Sequence, residues 1–349
     1  MNEPSSELPE TVVSRRRLML AGLGCALTPL AACVAEKQPT SVNSAATSAT
    51  SANLVNAGGP IVWGGMTQAE LDKAYNQSAY AANESQLIAR YRDRSNDAQT
   101  RLGRPQRASY GATPIEGMDI YRTHVKNAPV HVFIHGGAWR VTDARDYGFL
   151  AEVFVGAGVN FVVLDFAWVQ NLNGDLVAMT QQVQNGIAWI AKNAGSFGAN
   201  GREIYLSGHS SGSHLLAVAL TQDWQAQYGI DSRVFKHALL LSGLYDLQPV
   251  RLSSRGKYVH LTDTTEAQLS PARHIANLVC PLTIGYASLD TPEFQRQSRD
   301  FAVAVNAAGK QTPVVQATLY NHYEELETLG NPYGIFGRTA LTEIVARKG

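Results

Sequence analysis

From residue 67 onward the chain alternates between two kinds of apolar pattern. Short runs rich in Val, Ile, Leu, Phe and Tyr recur at Met118 to Val125, Val130 to Ile134, Asn160 to Phe166, Glu203 to Ser207, His237 to Leu241, Pro281 to Tyr286 and Pro313 to Tyr320. Runs of that length without polar alternation predict strands buried on both faces. Between many of them, and after the last, lie longer stretches of helical character: Leu176 to Asn193, Ser213 to Gln222, Pro292 to Ala308 and Arg338 to Arg347. Before the first strand, Thr67 and Glu70 stand at capping-box spacing, which predicts a helix start. A second helix is expected to open at Asn83, with Leu87, Ile88 and Tyr91 on one face. The succession of strand and helix predicts an α/β domain over residues 60–349, with a mostly parallel central sheet flanked by helices. No internal repeat is seen, and the polar, irregular stretch 248 to 275 reads as an insertion near the top of the sheet.

The first sixty residues follow neither pattern. Three arginines, Arg15 to Arg17, precede an apolar stretch from Leu18 to Leu30, and Leu30-Ala31-Ala32-Cys33 follows. These are the parts of a twin-arginine, lipoprotein-type signal over 1–32, with Cys33 as the acylated residue. The apolar run is shorter than the roughly 20 residues that a bilayer core requires. The expected location is therefore extracytoplasmic or periplasmic, with membrane contact only through a lipid on Cys33. Residues 33–59 are rich in Ser, Thr, Ala and Asn, a composition that cannot bury enough apolar surface to offset ordering, so a flexible linker is expected. With Cys25 in the signal and Cys33 at its end, Cys280 stands alone in the body, and it reads as a buried structural thiol.

Charge adds an exclusion. Twenty-nine basic residues balance 29 acidic ones, so there is no global attraction to nucleic acid. The histidines show no metal-ligand spacing, and no glycine loop ends in the lysine of a phosphate cradle. No cofactor or metal is expected.

Three motifs carry chemistry. Gly208-His209-Ser210-Ser211-Gly212 fits a strand-to-helix turn that exposes a nucleophilic serine, because an apolar run precedes it and Leu215 to Leu220 follow it. His135-Gly136-Gly137-Ala138-Trp139 follows the run ending at Ile134. Backbone N–H groups of Gly136 and Gly137, with that of Ser211, are the expected donors to an oxyanion. His135 itself is expected to support that loop by hydrogen bonding. His322 lies after the last plausible acid and after a predicted strand, which suits the base. Two aspartates suit the acid, Asp290 and Asp246; Asp290 is preferred because it follows the strand nearest that of His322. Trp139 is a candidate for lining a substrate pocket, as are Tyr80 and Tyr91.

Together with Ser242-Gly243-Leu244-Tyr245-Asp246, Asp290 to Phe294, Gln297-Ser298 and Asn321-His322-Tyr323, these motifs resemble the carboxylesterase and kynurenine-formamidase branch of the α/β-hydrolases, near the hormone-sensitive-lipase esterases. The resemblance implies the α/β-hydrolase fold, Asp290 as the acid, and N-terminal helices near the site entrance. Two departures stand out: Phe166-Ala167-Trp168-Val169 lacks the proline usual after that strand, and Asn200-Gly201-Arg202 replaces an acidic-proline turn. The expected activity is hydrolysis of small to medium carboxylic esters through an acyl-enzyme. The alternatives are an arylformamidase, and a lipoprotein that uses the fold only to bind. The export signal favours the ester, because kynurenine breakdown is cytoplasmic where the family is known. An intact set of motifs argues against mere binding.

Overall fold

The fully apolar runs assemble side by side, because each has two faces to remove from water and a sheet covered by helices is what does so. In the computed structural model, which describes residues 59–346, eight strands form one sheet. In chain order they are β1 (Gln106–Ser109), β2 (Gly117–Tyr121), β3 (Ala128–Ile134), β4 (Asn160–Leu164), β5 (Ala199–His209), β6 (Phe235–Leu241), β7 (Leu282–Ala287) and β8 (Val314–Ala317). Their order across the sheet is β8-β7-β6-β5-β3-β4-β2-β1. The pairs from β4 to β8 are parallel, whereas β2 runs antiparallel to both β1 and β4. This is the α/β-hydrolase fold. The described residues fall within the compact unit Leu54–Gly349; the expected export signal, Cys33 and the expected linker up to residue 58 lie outside them.

All residues of β2, β3 and β4 are buried. On one face Phe154 and Phe161 stack with centroids 5.1 Å apart, and His131 lies 3.9 Å from Phe154. Burial pushes the His131 imidazole down to about 3, so it sits neutral in the core, bonded to Ser207 Oγ at 2.7 Å. Truncating a ring such as Phe161 to alanine would cost about 3 to 5 kcal/mol. The other face is covered by helices that include Leu176–Asn193 and Ser211–Ala219, whose buried residues belong to a single apolar cluster with those of β3 and β5.

Strand β1 was not expected from sequence. Its Gln-Arg-Ala-Ser is mostly exposed, as an edge strand permits, and its Arg107 reaches Asp119 and Asp165 at 3.1 and 2.6 Å. The predicted capping box is present: Glu70 Oε2 accepts from Thr67 N at 2.8 Å and opens the helix Gln68–Ala74. A longer helix, Glu84–Leu102, follows Asn83. The stretch read as an insertion holds two short helices, Gln248–Leu252 and Asp263–Gln268. Cys280 is half-buried, more open than the expected core thiol, because the strand after it begins only at Leu282.

Candidate active site

Register decides what meets at the sheet's edge. Ile134 pairs with Gly208, and His209 with Leu241, which in turn pairs with Gly285. The loops after β3, β5, β6, β7 and β8 therefore leave the sheet at nearly one level. In a parallel sheet the carboxyl ends of the strands face the same way, and ligands bind there. Ser210, the Gly136-Gly137 turn, Asp290 and His322 all lie on these loops.

Ser210 sits between β5 and the helix Ser211–Ala219, with φ 55° and ψ −124°, a strained conformation for a residue with a side chain. The turn that forces it is tight. A Cβ at Gly212 would lie 2.2 Å from Ile134 O and 2.3 Å from His135 O, so only glycine lets the helix start against β3. Gly137, at φ +110°, is held as closely, since a Cβ there would meet Val141 O at 2.1 Å. The carbonyl of Gly136 accepts from Thr142 Oγ1 and from His135 Nδ1, both at 2.9 Å. His135 is stacked between Phe166 and Tyr147, at 4.3 and 5.5 Å, and burial lowers its pKa. It is a neutral prop beneath the loop, which is the part the sequence suggested. The N–H of Ser211 is the first of its helix, where donors lack intrahelical partners and the helix dipole is positive.

His322 Nδ1 donates to Asp290 Oδ2 at 3.0 Å, with both side chains buried. That bond leaves Nε2 as the proton acceptor. Asp290 Oδ1 accepts from Thr291 N at 2.8 Å and from Gln77 Nε2 at 2.7 Å, so the carboxylate is fixed on both oxygens. Asp246 has a different task. Its Oδ1 caps Gln248 N at 3.2 Å and faces Arg273 at 3.6 Å. Its backbone N–H and that of Tyr245 both donate to Gln297 Oε1, at 2.8 and 2.6 Å.

Behind the pair lie groups that the sequence did not single out. His209 Nε2 donates to the carbonyl of His322 at 2.9 Å, and burial and the neighbouring imidazole push its pKa well down. Glu325 is completely buried, 3.2 Å from His209 Nε2. Burial, then the Asp290 carboxylate, push its pKa well up, which favours the neutral acid. Although His209, His322 and Glu325 offer ligand atoms within 4.8 Å of one another, a carboxyl whose burial disfavours its charged form and a histidine already bonded to a carbonyl make a poor metal cage.

These residues open into a cavity of about 260 Å³ bordered by Ser210, His322, Gly137, Tyr91, Arg255 and Tyr258, among others. Trp139, expected in the pocket, does not border it. It is 2% exposed and its indole donates to His214 Nδ1 at 3.3 Å, because Ala138 and Trp139 both take positive φ and the loop turns the ring inward. Tyr91 borders the cavity while Tyr80 does not. Gln77, Glu325 and Arg255 had no motif to announce them: the first lies in a turn between helices, the second in an acidic pair, the third in the insertion.

A family model described as BD-FAE matches residues 118–240. Among curated proteins, a kynurenine formamidase of Danio rerio is 28% identical over 284 residues, covering 76% of this chain and 93% of its own. The esterase LipC of Mycobacterium tuberculosis is 26% identical over 239 residues, covering 66% of this chain and 59% of its own. Among solved structures, the esterase LipW of Mycobacterium marinum superposes with a TM-score of 0.60 at 17% identity, over 78% of this chain and 90% of that one.

Proposed function

We propose that this α/β-hydrolase, of the branch that includes esterases and kynurenine formamidases, hydrolyses carboxylic esters outside the cytoplasm through an acyl-enzyme on Ser210. The observation that carries the reading is the His322 Nδ1–Asp290 Oδ2 bond at 3.0 Å, which fixes the tautomer that a base needs, in a cavity shared with Ser210. Ser210 Oγ attacks the ester carbonyl as His322 Nε2 takes its proton. The tetrahedral oxyanion is received by the N–H groups of Gly136, Gly137 and Ser211, and losing one such donor costs about 2.7 to 4 kcal/mol. His322 then gives the proton to the departing alkoxide, and water, activated by the same imidazole, releases the acid and restores Ser210. Asp290 orients the ring and stabilises its charged form. No step requires a metal.

The cavity, at about 260 Å³, lies below the usual 300 to 1,000 Å³ of ligand pockets, which supports small substrates. An N-formyl aryl amide is the second reading, supported by the kynurenine formamidase that matches along nearly its whole length. The sequence's export signal, with Cys33 as its lipid-bearing residue, supports the ester instead. The test is turnover by residues 60–349 of nitrophenyl esters of graded acyl length beside an N-formyl aryl amide, with Ser210→Ala as control. Short-chain esters are expected to give the highest kcat/KM. A formamide far above every ester would replace the first reading by the second.

A further inference from the structure

Arg255 is the feature that the proposed chemistry leaves unused. It comes from the polar segment between β6 and β7, yet it is 6% exposed and borders the same cavity as Ser210 and His322. Its Nε and Nη2 both donate to the carbonyl of Tyr75, at 3.1 and 2.9 Å. Its Nη1 is buried with no hydrogen-bond partner. The guanidinium stands 5.8, 5.7 and 5.4 Å from the rings of Tyr75, Trp139 and Phe294, which hold its plane from several sides. Among the described residues no carboxylate lies within ion-pair distance of it.

A buried charge without a counter-ion is unfavourable, and it persists where something else offsets it. Ring faces stabilise a cation only in part. Neighbouring acids are already engaged. Glu293 accepts from Tyr75 Oη at 3.0 Å and from Arg296 at 2.7 Å. Glu84, the carboxylate on the cavity wall, accepts from the hydroxyls of Tyr323 and Ser78. A second cation, Arg140, is exposed at the cavity with its guanidinium 4.5 Å from the Tyr258 ring. The charged lining is thus two arginines against one glutamate whose oxygens are occupied.

We infer that the substrate carries an anionic group, most simply a carboxylate, which pairs with Arg255 while the scissile carbonyl lies at Ser210. The inference rests on the proposed hydrolase reading and narrows its substrate class to ester or activated-amide derivatives of acids that keep one free carboxylate. Arg255 Nη1 donates to a carboxylate oxygen, and the charge-assisted bond forms in a site screened from water, where such bonds are strong. Because Nε and Nη2 are tied to a backbone carbonyl, Nη1 is held in one place. Arg255 therefore selects the distance between carboxylate and carbonyl as well as the charge.

The experiment uses matched pairs: mono-4-nitrophenyl succinate, glutarate and adipate, each beside its twin with the free carboxylate methylated. For at least one length, the wild-type kcat/KM for the acid is expected to exceed that for its neutral twin by about tenfold or more. In Arg255→Met the ratio is expected to fall to about one, and Arg255→Lys to keep part of it. General damage from losing the Tyr75 contacts lowers both twins and leaves the ratio intact. A wild-type ratio near one at every length, or a ratio unchanged in Arg255→Met, overturns the inference. Binding separates the two failures. Calorimetry of Ser210→Ala with the preferred acid is expected to weaken about tenfold when Arg255→Met is added, whether or not the wild type turns over either twin. Equal binding by both variants overturns the anion site, whereas intact binding without wild-type turnover overturns the hydrolase reading alone.

Discussion

Glu325 shows what a single residue can cost the fold that it serves. Its carboxyl is buried beside the Asp290 carboxylate, and its pKa is raised well above the ordinary 4.5. In the unfolded chain it ionises freely above that value, while in the folded chain its ionisation is moved to higher pH. The unfolded state then binds fewer protons, so stability falls as pH rises from about 4.5 toward the raised value. Glu325→Gln removes the ionisation and keeps the shape. The variant is expected to melt higher than wild type at pH 8, by about 2 °C or more, with the difference vanishing near pH 4. Thermal unfolding across that range checks it, and an equal loss at both ends would mean that the acid itself is needed for packing. At this scale the sequence was legible in part. The motif and the chain order pointed to Ser210 and His322, and the structure puts Asp290, rather than Asp246, against the imidazole. Gln77 and Glu325 were not visible, because their meaning comes from partners 213 and 116 positions away, at Asp290 and His209.

Elements explain why the site has so little freedom. The turn from β5 into Ser211–Ala219 holds Ser210 only because its helix begins in contact with the end of β3. Gly212→Ala puts a methyl group 2.2 Å from Ile134 O, against backbone that cannot move without shifting the Gly136-Gly137 turn. The expected loss is about 3 kcal/mol of stability together with most of the activity. Gly195→Ala, where a Cβ meets nothing within 4 Å, is expected to be neutral, and denaturant unfolding of the two variants makes the comparison. If both behaved alike, close approach would not be what fixes the turn. The strands with apolar residues on both faces were legible because they bury both. β1 was not, since an edge strand with polar side chains looks like loop. Strand ends were misread for a related reason: Pro313 to Tyr320 is apolar for longer than it pairs, and the ladder stops at Ala317 before the turn in which Leu319 takes φ 66°.

For the whole molecule, the sheet acts as a ruler. Five loops leave it at one level, and the two N-terminal helices lie over that edge, where Gln77 reaches Asp290 and the Tyr75 carbonyl holds Arg255. The expectation that these helices stand near the site entrance followed from a resemblance, but that they fasten Asp290 and Arg255 follows only from the contacts. The insertion was read as an irregular crest, and its polar sequence gave no sign that one arginine turns inward. The central claim is that one serine becomes acylated during turnover. Intact-mass spectrometry after reaction with a small aryl organophosphonate tests it most directly. The account predicts one adduct per chain, mapped to Ser210 and absent from Ser210→Ala. An adduct that persists in Ser210→Ala, or maps to another residue, would contradict it.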